Sequence, residues 1–281
     1  MSALGVGPES PEAAPHEGAG YERPMDAQTG LRVLFEDDHL LVIDKPAGLL
    51  VHRTALDAHT QDTVIERLRA LRGRGEPLHA VHRLDRGTSG VLVLARDPVS
   101  AAALGRAFES GQVRKTYLAL VRGWPAPPTG RIDHALARDP ERPSSGQPHL
   151  NASTRYRVIH CLAWPVKTDP RFEDSRYALV LAQPLTGRRH QIRRHFKQIA
   201  HPLIGDSTHG KGAHNRAVAH WLGLSRLWLH AAGIVLPHPR SGVSLRIRSA
   251  PGPQWCSLLK PAQTLPEAPV RALPEATTPA R

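Results

Sequence analysis

The apolar side chains of this chain come in short runs separated by turns, and that pattern limits the possible folds more than any other feature. Leu31–Phe35 and Leu40–Asp44 flank Glu36-Asp37-Asp38-His39 and read as a hairpin, closed by a turn at Lys45-Pro46-Ala47-Gly48. Val91–Ala95, Thr116–Val121, Tyr177–Ala182, Leu229–Leu236 and Ser244–Ile247 are further strand candidates. Helical spacing occurs in three places. Thr63–Leu71 puts Val64, Ile65, Leu68 and Leu71 on one face. Ser100–Phe108 follows the start signals Asp97, Pro98 and Ser100, and Gln191–Ile199 carries Ile192, Phe196 and Ile199 in helical register. Strands outnumber helices, so the expected fold is α+β, a mixed, largely antiparallel sheet with flanking helices. Residues 125–150, with many Pro, Arg and Gly, read as an irregular excursion.

The two ends look different from the middle. Residues 1–28 are rich in Pro, Glu, Ala and Gly, and 261–281 are similar, so neither can bury enough apolar surface to offset the entropy of ordering. Two disordered tails around one domain at 29–260 are expected. No stretch reaches the roughly 18 apolar residues of a membrane span. The N-terminus lacks a basic region followed by an apolar one, so a cytoplasmic, membrane-free protein is expected. Cys161 and Cys256 lie far apart without C-x-x-C spacing, which argues against a disulfide framework and against a cysteine zinc site.

Charge narrows the partner. Lys plus Arg is 37 against 25 for Asp plus Glu, a net +12. That excess favours a polyanion, and nucleic acid, a membrane surface and an acidic protein all satisfy it.

Three segments carry possible chemistry. In His82-Arg83-Leu84-Asp85-Arg86-Gly87-Thr88-Ser89-Gly90 an acid sits between two arginines in a polar loop that enters a buried strand. Neighbouring guanidinium groups favour an ionised carboxylate, and the glycines let backbone approach a ligand. An ordinary turn with a paired aspartate has the same composition. Thr186-Gly187-Arg188-Arg189-His190-Gln191-Ile192-Arg193-Arg194-His195 opens a helix. Its inward stripe leaves Arg188, Arg189 and Arg194 to solvent or phosphate, while Arg193 borders the stripe and can face a cleft. His190 and His195 are five apart and share no helical face, so no metal is expected there. Val113-Arg114-Lys115-Thr116-Tyr117-Leu118-Ala119-Leu120-Val121-Arg122-Gly123 is strand-like, and Tyr117 is either a core residue or an aromatic plane for an extruded base.

In chain order, with the Asp85 loop first, the Tyr117 strand second and the Arg193 helix third, the three segments resemble the pseudouridine synthases of the large-subunit synthase A (RluA) type. Leu41-Val42-Ile43-Asp44-Lys45-Pro46-Ala47-Gly48 and His201-Pro202-Leu203-Ile204-Gly205-Asp206 fit as well, and the likeness runs from about residue 31 to 250. The resemblance implies a single pseudouridine synthase catalytic domain in which Asp85 is the catalytic carboxylate. It also implies that Tyr117 packs on the uracil, that Arg193 pairs with Asp85, and that Arg83 fills the gap left by the base. Arg86, Arg188, Arg189, His190 and Arg194 are then the RNA-facing residues. Many ribosomal members carry an N-terminal S4-type domain, and none is expected here. The reaction is an isomerisation, so neither a redox cofactor nor a nucleotide cofactor is required, and a monomer is expected. His52-Arg53-Thr54-Ala55-Leu56-Asp57, the basic slots around Arg189 and Arg194, and Gly205–Lys211 resemble the branch acting on transfer RNA at uridine 65. Ribosomal RNA, or RNA binding without catalysis, are the competing readings.

Overall fold

The computed structural model describes residues 29–53, 60, 62–72, 75 and 77–259. The expected tails, 1–28 and 261–281, and most of His52–Asp57 lie outside the described residues.

The chain opens with the hairpin β1 (Arg32–Glu36) and β2 (Leu40–Lys45), followed by α1 (Val64–Arg72), β3 (His79–Ala80), β4 (Ser89–Ala95) and α2 (Pro98–Glu109). Next come β5 (Arg114–Arg122), β6 (Thr129–Asp133), β7 (Leu136–Ala137), β8 (His149–Leu150), β9 (Ser153–Trp164) and β10 (Ser175–Pro184). α3 (Gln191–Gln198), α4 (Gly212–Leu222), β11 (Leu229–Pro237), β12 (Ser244–Arg248) and a 3-10 turn at Pro253–Leu259 complete it. The large sheet runs β1-β2-β4-β11-β5-β10-β9-β6, with β12 on β11 and β3 on β4. Only β4 and β11 pair in parallel, so the sheet is mixed and mainly antiparallel.

β4 shows why its sequence is an unbroken apolar run. All seven of its residues are buried. Leu92 and Leu94 join Val64, Ile65 and Leu68 of α1, while Val91 and Val93 join Leu104 and Ala107 of α2. A strand covered on both faces has no polar side to alternate with. Its pairing with Ala231 of β11 needs a glycine. Gly90 has φ +108, and a Cβ there would lie 2.3 Å from the Ala231 carbonyl oxygen. α2 starts as its sequence requires: the Asp97 carboxylate accepts from Ser100 N at 2.8 Å, and Pro98 follows as the first helical residue.

Four regions depart from the sequence expectation. Leu71 is 40% exposed, because the last turn of α1 is fixed by Arg72 pairing with Glu36 of β1 rather than by the core. The excursion 125–150 is partly ordered as β6, on the sheet edge, and the β7–β8 ribbon. β6 buries only Ile132, too little for a visible period. β9 alternates Arg155 and Arg157 with Tyr156 and Val158, a pattern that basic residues disguise. α4 buries only His214, Val218 and Leu222, an apolar stripe diluted by its histidine.

The fold brings the motifs together through one layer. Ile192 and Phe196 of α3 pack on Ala119, Val121, Tyr156, Ala178 and Val180, so the start of α3 is held over β5 and β10 beside the 82–90 loop.

Candidate active site

Loop 82–88, the first half of β5 and the start of α3 enclose an open cleft of about 460 Å³. Arg83, Asp85, Lys115, Tyr117, His190 and Arg193 line it.

Asp85 is carried by a pinned loop. Leu84 is buried in the α1 core, and Thr88 N donates to Asp85 O at 3.0 Å. Arg86 O receives the Gly48 amide at 2.8 Å. It also receives Lys45 Nζ at 3.3 Å, and that ammonium donates to Leu49 O at 2.7 Å and Pro46 O at 2.9 Å as well. Lys45 is fully buried, and burial pushes its pKa down to about 7, opposed by the charge of Asp85 and aided by that of Arg226. The loop is therefore tied to the β2 turn from below.

Arg193 reaches Asp85 from across the cleft. Its Nη1 donates to Asp85 Oδ2 at 2.8 Å. Nε and Nη2 form a bidentate pair with Asp206, each at 2.8 Å. Burial works against the Arg193 charge, but hydrogen bonds and charge from Asp206 and then Asp85 raise its pKa. Asp206 is wholly buried, and burial alone would raise its pKa. The two bonds and the charge of Arg193, with the His209 amide, hold it below the usual range. Its Oδ1 also accepts from Thr208 N at 3.0 Å and His209 N at 2.8 Å. Arg193 is thus fixed before any substrate arrives, leaving one oxygen of Asp85 free of it.

His190 occupies that side. It precedes α3 in the left-handed region, φ 52, which strains a residue with a Cβ. Its Nε2 lies 3.7 Å from Asp85 Oδ1, and its Nδ1 lies 3.1 Å from His209 Nε2. Burial lowers both imidazole pKa values, His209 to about 4, so both rings are neutral near pH 7. Tyr117 forms the opposite wall, wedged between two core clusters. Burial, and then the charge of Asp85, raises the pKa of its phenol, which stays protonated.

Most other motif side chains are structural. His82 Nε2 accepts from Val93 N at 2.9 Å and its ring stacks on Phe108 at 5.0 Å. Burial, aided by Lys115, pushes its pKa down to about 3. Gln191 Oε1 accepts from Thr186 Oγ1 at 2.7 Å and Arg188 N at 2.9 Å, while Nε2 donates to Ser153 O at 2.9 Å. His195 is fully buried and bridges Thr154 Oγ1 and His134 O at 2.9 and 3.1 Å. Among the described residues no group of three or more His, Cys, Asp and Glu is placed to hold a metal.

The basic residues divide. Arg83 is exposed at the cleft rim. Arg188 is exposed and donates from Nε to Asn151 O at 3.1 Å. Arg86 is not part of the lining, and its Nε donates to Gly48 O at 3.0 Å. The expectation that Arg189 and Arg194 are left to solvent needs correction. Arg189 is paired with Glu141 and Asp139 in the β7–β8 connection, and Arg194 Nη1 donates to Ala137 O at 2.9 Å. The excursion folds against the start of α3, and its carboxylates and carbonyls meet these donors. Sequence reasoning also passes over Asp206, Lys45 and His209. Asp206 and Lys45 sit in segments that fit the resemblance, but only contact with Arg193 and with Arg86 O reveals what they hold.

Known proteins resemble this chain in sequence and in fold. Residues 39–198 match the family model described as RNA pseudouridylate synthase. The chain is 39% identical to the tRNA pseudouridine synthase C of Yersinia pestis, covering 82% of this chain and 90% of that one. It is 37% identical to the tRNA pseudouridine synthase C of Vibrio cholerae, covering 82% and 94%. Among solved structures, human RNA Pseudouridylate Synthase Domain Containing 1 superposes with a TM-score of 0.63 at 26% identity, over 82% of this chain and 86% of that one. Human RNA Pseudouridylate Synthase Domain Containing 4 gives 0.61 at 28% identity, over 81% and 91%. With a mixed sheet, an aspartate loop clamped by a buried arginine and these relatives, the chain belongs to the RNA pseudouridylate synthase family.

Proposed function

We propose that this pseudouridine synthase acts on transfer RNA, at uridine 65, with Asp85 as its catalytic carboxylate. The observation that carries the catalytic part is the Asp206–Arg193–Asp85 chain on the cleft floor. A carboxylate entering a dry pocket tends to take up a proton, and a neighbouring guanidinium opposes that. Because Asp206 holds Arg193 in place, Asp85 is aimed by a guanidinium that is itself fixed. The relatives named tRNA pseudouridine synthase C support the choice of RNA.

The roles follow from position. The uridine must leave its stack to reach Asp85, at a cost of a few kcal/mol. Arg83, exposed at the rim, fills the vacated space, and Tyr117 receives one face of the uracil. Asp85 attacks the sugar C1′ or uracil C6, or removes a proton at C2′; the glycosidic bond from N1 breaks, the base turns, and C5 bonds to C1′. The C5 proton then leaves to restore the aromatic ring while N1 gains one, so protons balance. Neutral His190 stands beside Asp85 without competing for its charge. Arg188 contacts the phosphate backbone through the guanidinium nitrogens that its bond to Asn151 O leaves over. Arg86, Arg189 and Arg194 do so on exchanging a protein oxygen for a phosphate.

The test is a modification map. Purified enzyme is given unmodified tRNA and ribosomal RNA transcripts, and pseudouridine is located by sequencing. Conversion of tRNA uridine 65 alone is expected. Conversion confined to ribosomal RNA, or binding without conversion of either, would overturn the assignment.

A further inference from the structure

The central sheet has two faces, and only one carries the cleft. Side chains alternate along a strand, so Lys115 and Tyr117 of β5 look into the cleft while Arg114, Thr116 and Leu118 look the other way. Cross-strand pairs share a face and extend this second surface. Leu118 pairs with Leu181 of β10, Leu181 with Arg157 of β9, and Arg157 with Thr129 of β6. Gln183 pairs with Arg155, and Arg155 with Arg131. On the other flank Arg114 pairs with Val235 of β11 and Val235 with Arg246 of β12. Thr116 pairs with Gly233, and Gly233 with Arg248. Arg114, Arg131, Arg155, Arg157, Arg246 and Arg248 therefore stand on one side of the sheet.

Half of that side is closed and half is open. Beyond Leu120 it is covered by α4, where Val218 and Leu222 pack with Tyr177, Leu179 and Trp228. On the other half Arg114, Arg155, Arg157, Gln183, Arg246 and Arg248 are exposed, and Thr116, Leu118, Leu181, Gly233 and Val235 are only half-buried. Arg131 is paired with Asp133, two residues further along β6. The other five arginines form no ion pair and no side-chain hydrogen bond among the described residues. A surface selected only for solubility intersperses both signs, and like charges on neighbouring strands repel. Five unpaired guanidinium groups on one uncovered face instead complement a polyanion. From β12 to β9 there are four strand spacings, about 19 Å, wide enough for several phosphates.

We propose that this face is a second RNA-binding surface, gripping the phosphate backbone of the substrate away from the uridine in the cleft. The two surfaces meet at the first residues of β5, with Lys115 on the cleft side and Arg114 on the other. RNA passing around that strand end contacts both. Guanidinium groups bind phosphate bidentately, and each contact releases counterions. The proposal requires RNA as the substrate but not any particular RNA or uridine.

The experiment compares the wild type with a triple variant, Arg155→Gln, Arg157→Gln and Arg246→Gln, and with the matching triple to Lys. None of the three residues touches the cleft. Affinity is measured across salt concentrations for a full-length tRNA transcript and for a short stem-loop cut from it, long enough to fill only the cleft. For the full-length transcript the Gln triple should flatten the slope of log affinity against log salt by about two units, from three lost contacts at roughly 0.7 each. The stem-loop slope should not change, and the Lys triple should recover most of the loss. An unchanged slope on the full-length transcript would overturn the proposal. Equal flattening on both RNAs would overturn it too, since that is the signature of net charge acting at a distance. Binding is read whether or not the transcript is converted, so failure of the tRNA assignment leaves this result interpretable.

Discussion

On the cleft side, Arg193 gives Nε and both terminal nitrogens to the carboxylates of Asp206 and Asp85. On the opposite face, Arg155 and Arg157 stand exposed with no side-chain partner among the described residues. The side chain is the same, and burial separates the two uses. A guanidinium inside the protein must be matched by carboxylates, and it then becomes a fixed part that orients something else. A guanidinium in water needs no match and keeps its donors for a phosphate. Arg189 lies between these extremes, since its partners Glu141 and Asp139 belong to a surface ribbon connection and hold it only at the rim.

The difference can be broken most severely at Asp85. Asp85→Asn keeps the shape and removes the charge that Arg193 holds. Turnover should fall by about 10²–10⁴-fold, the scale of a positioned acid–base group, while RNA affinity persists. Tritium release from RNA labelled at uridine C5 measures this, and release at the wild-type rate would remove Asp85 from the mechanism. Asp206→Ala is next. It strands a buried Arg193 against one remaining carboxylate and should cost about 3–5 kcal/mol of stability, read as a lower denaturation midpoint. Asp206→Asn should cost less, because it preserves acceptors for the Thr208 and His209 amides. Equal midpoints for wild type and Asp206→Ala would show that the buried pairing is dispensable.

Acid should separate the two faces by a smaller amount. His82, His209 and His214 are pushed by burial to pKa values of about 3, 4 and 4, below the roughly 6.5 of a free imidazole. Between those values the unfolded chain binds more protons than the folded one. Stability should therefore fall as pH drops from about 6.5 towards 4. His209→Gln should shallow that fall in urea melts. A guanidinium keeps its charge at any such pH as a matter of general chemistry, so the salt slope of the open face for RNA should hold over the same range. The mildest change is Glu141→Gln, which loosens Arg189 without touching the cleft floor. Stability should shift by about 1 kcal/mol or less, and RNA should bind a few-fold more tightly as Arg189 becomes available. Weaker RNA binding would mean that the ribbon presents Arg189 rather than restraining it.

Much of the site is local in sequence and was legible there. Asp85, Tyr117 and Arg193 each sit in a compact motif, and the apolar runs announce β2, β4, β5, β10 and β11. What escaped reading is non-local or diluted. Asp206 reads as one more polar residue near a glycine until Arg193 is seen against it. β9 hides its period behind Arg155 and Arg157, and β6 has only Ile132 to bury. The availability assigned to Arg189 and Arg194 failed because a helix drawn in isolation has no neighbours. In the fold, Ala137 O and the carboxylates of Asp139 and Glu141 lie within reach.

By itself the sequence determined the class of fold, the basic character and the short motifs that carry Asp85, Tyr117 and Arg193, because hydrophobic period, net charge and short motifs are properties of neighbouring residues. Tertiary structure alone decided which arginine is locked and which is free. It set Arg193 between Asp85 and Asp206, turned Lys45 under the loop, and gathered Arg114, Arg155, Arg157, Arg246 and Arg248 from three separate strands onto one uncovered face. Charge state and availability depend on what surrounds a side chain in space, and strand register brings together residues that are distant along the chain.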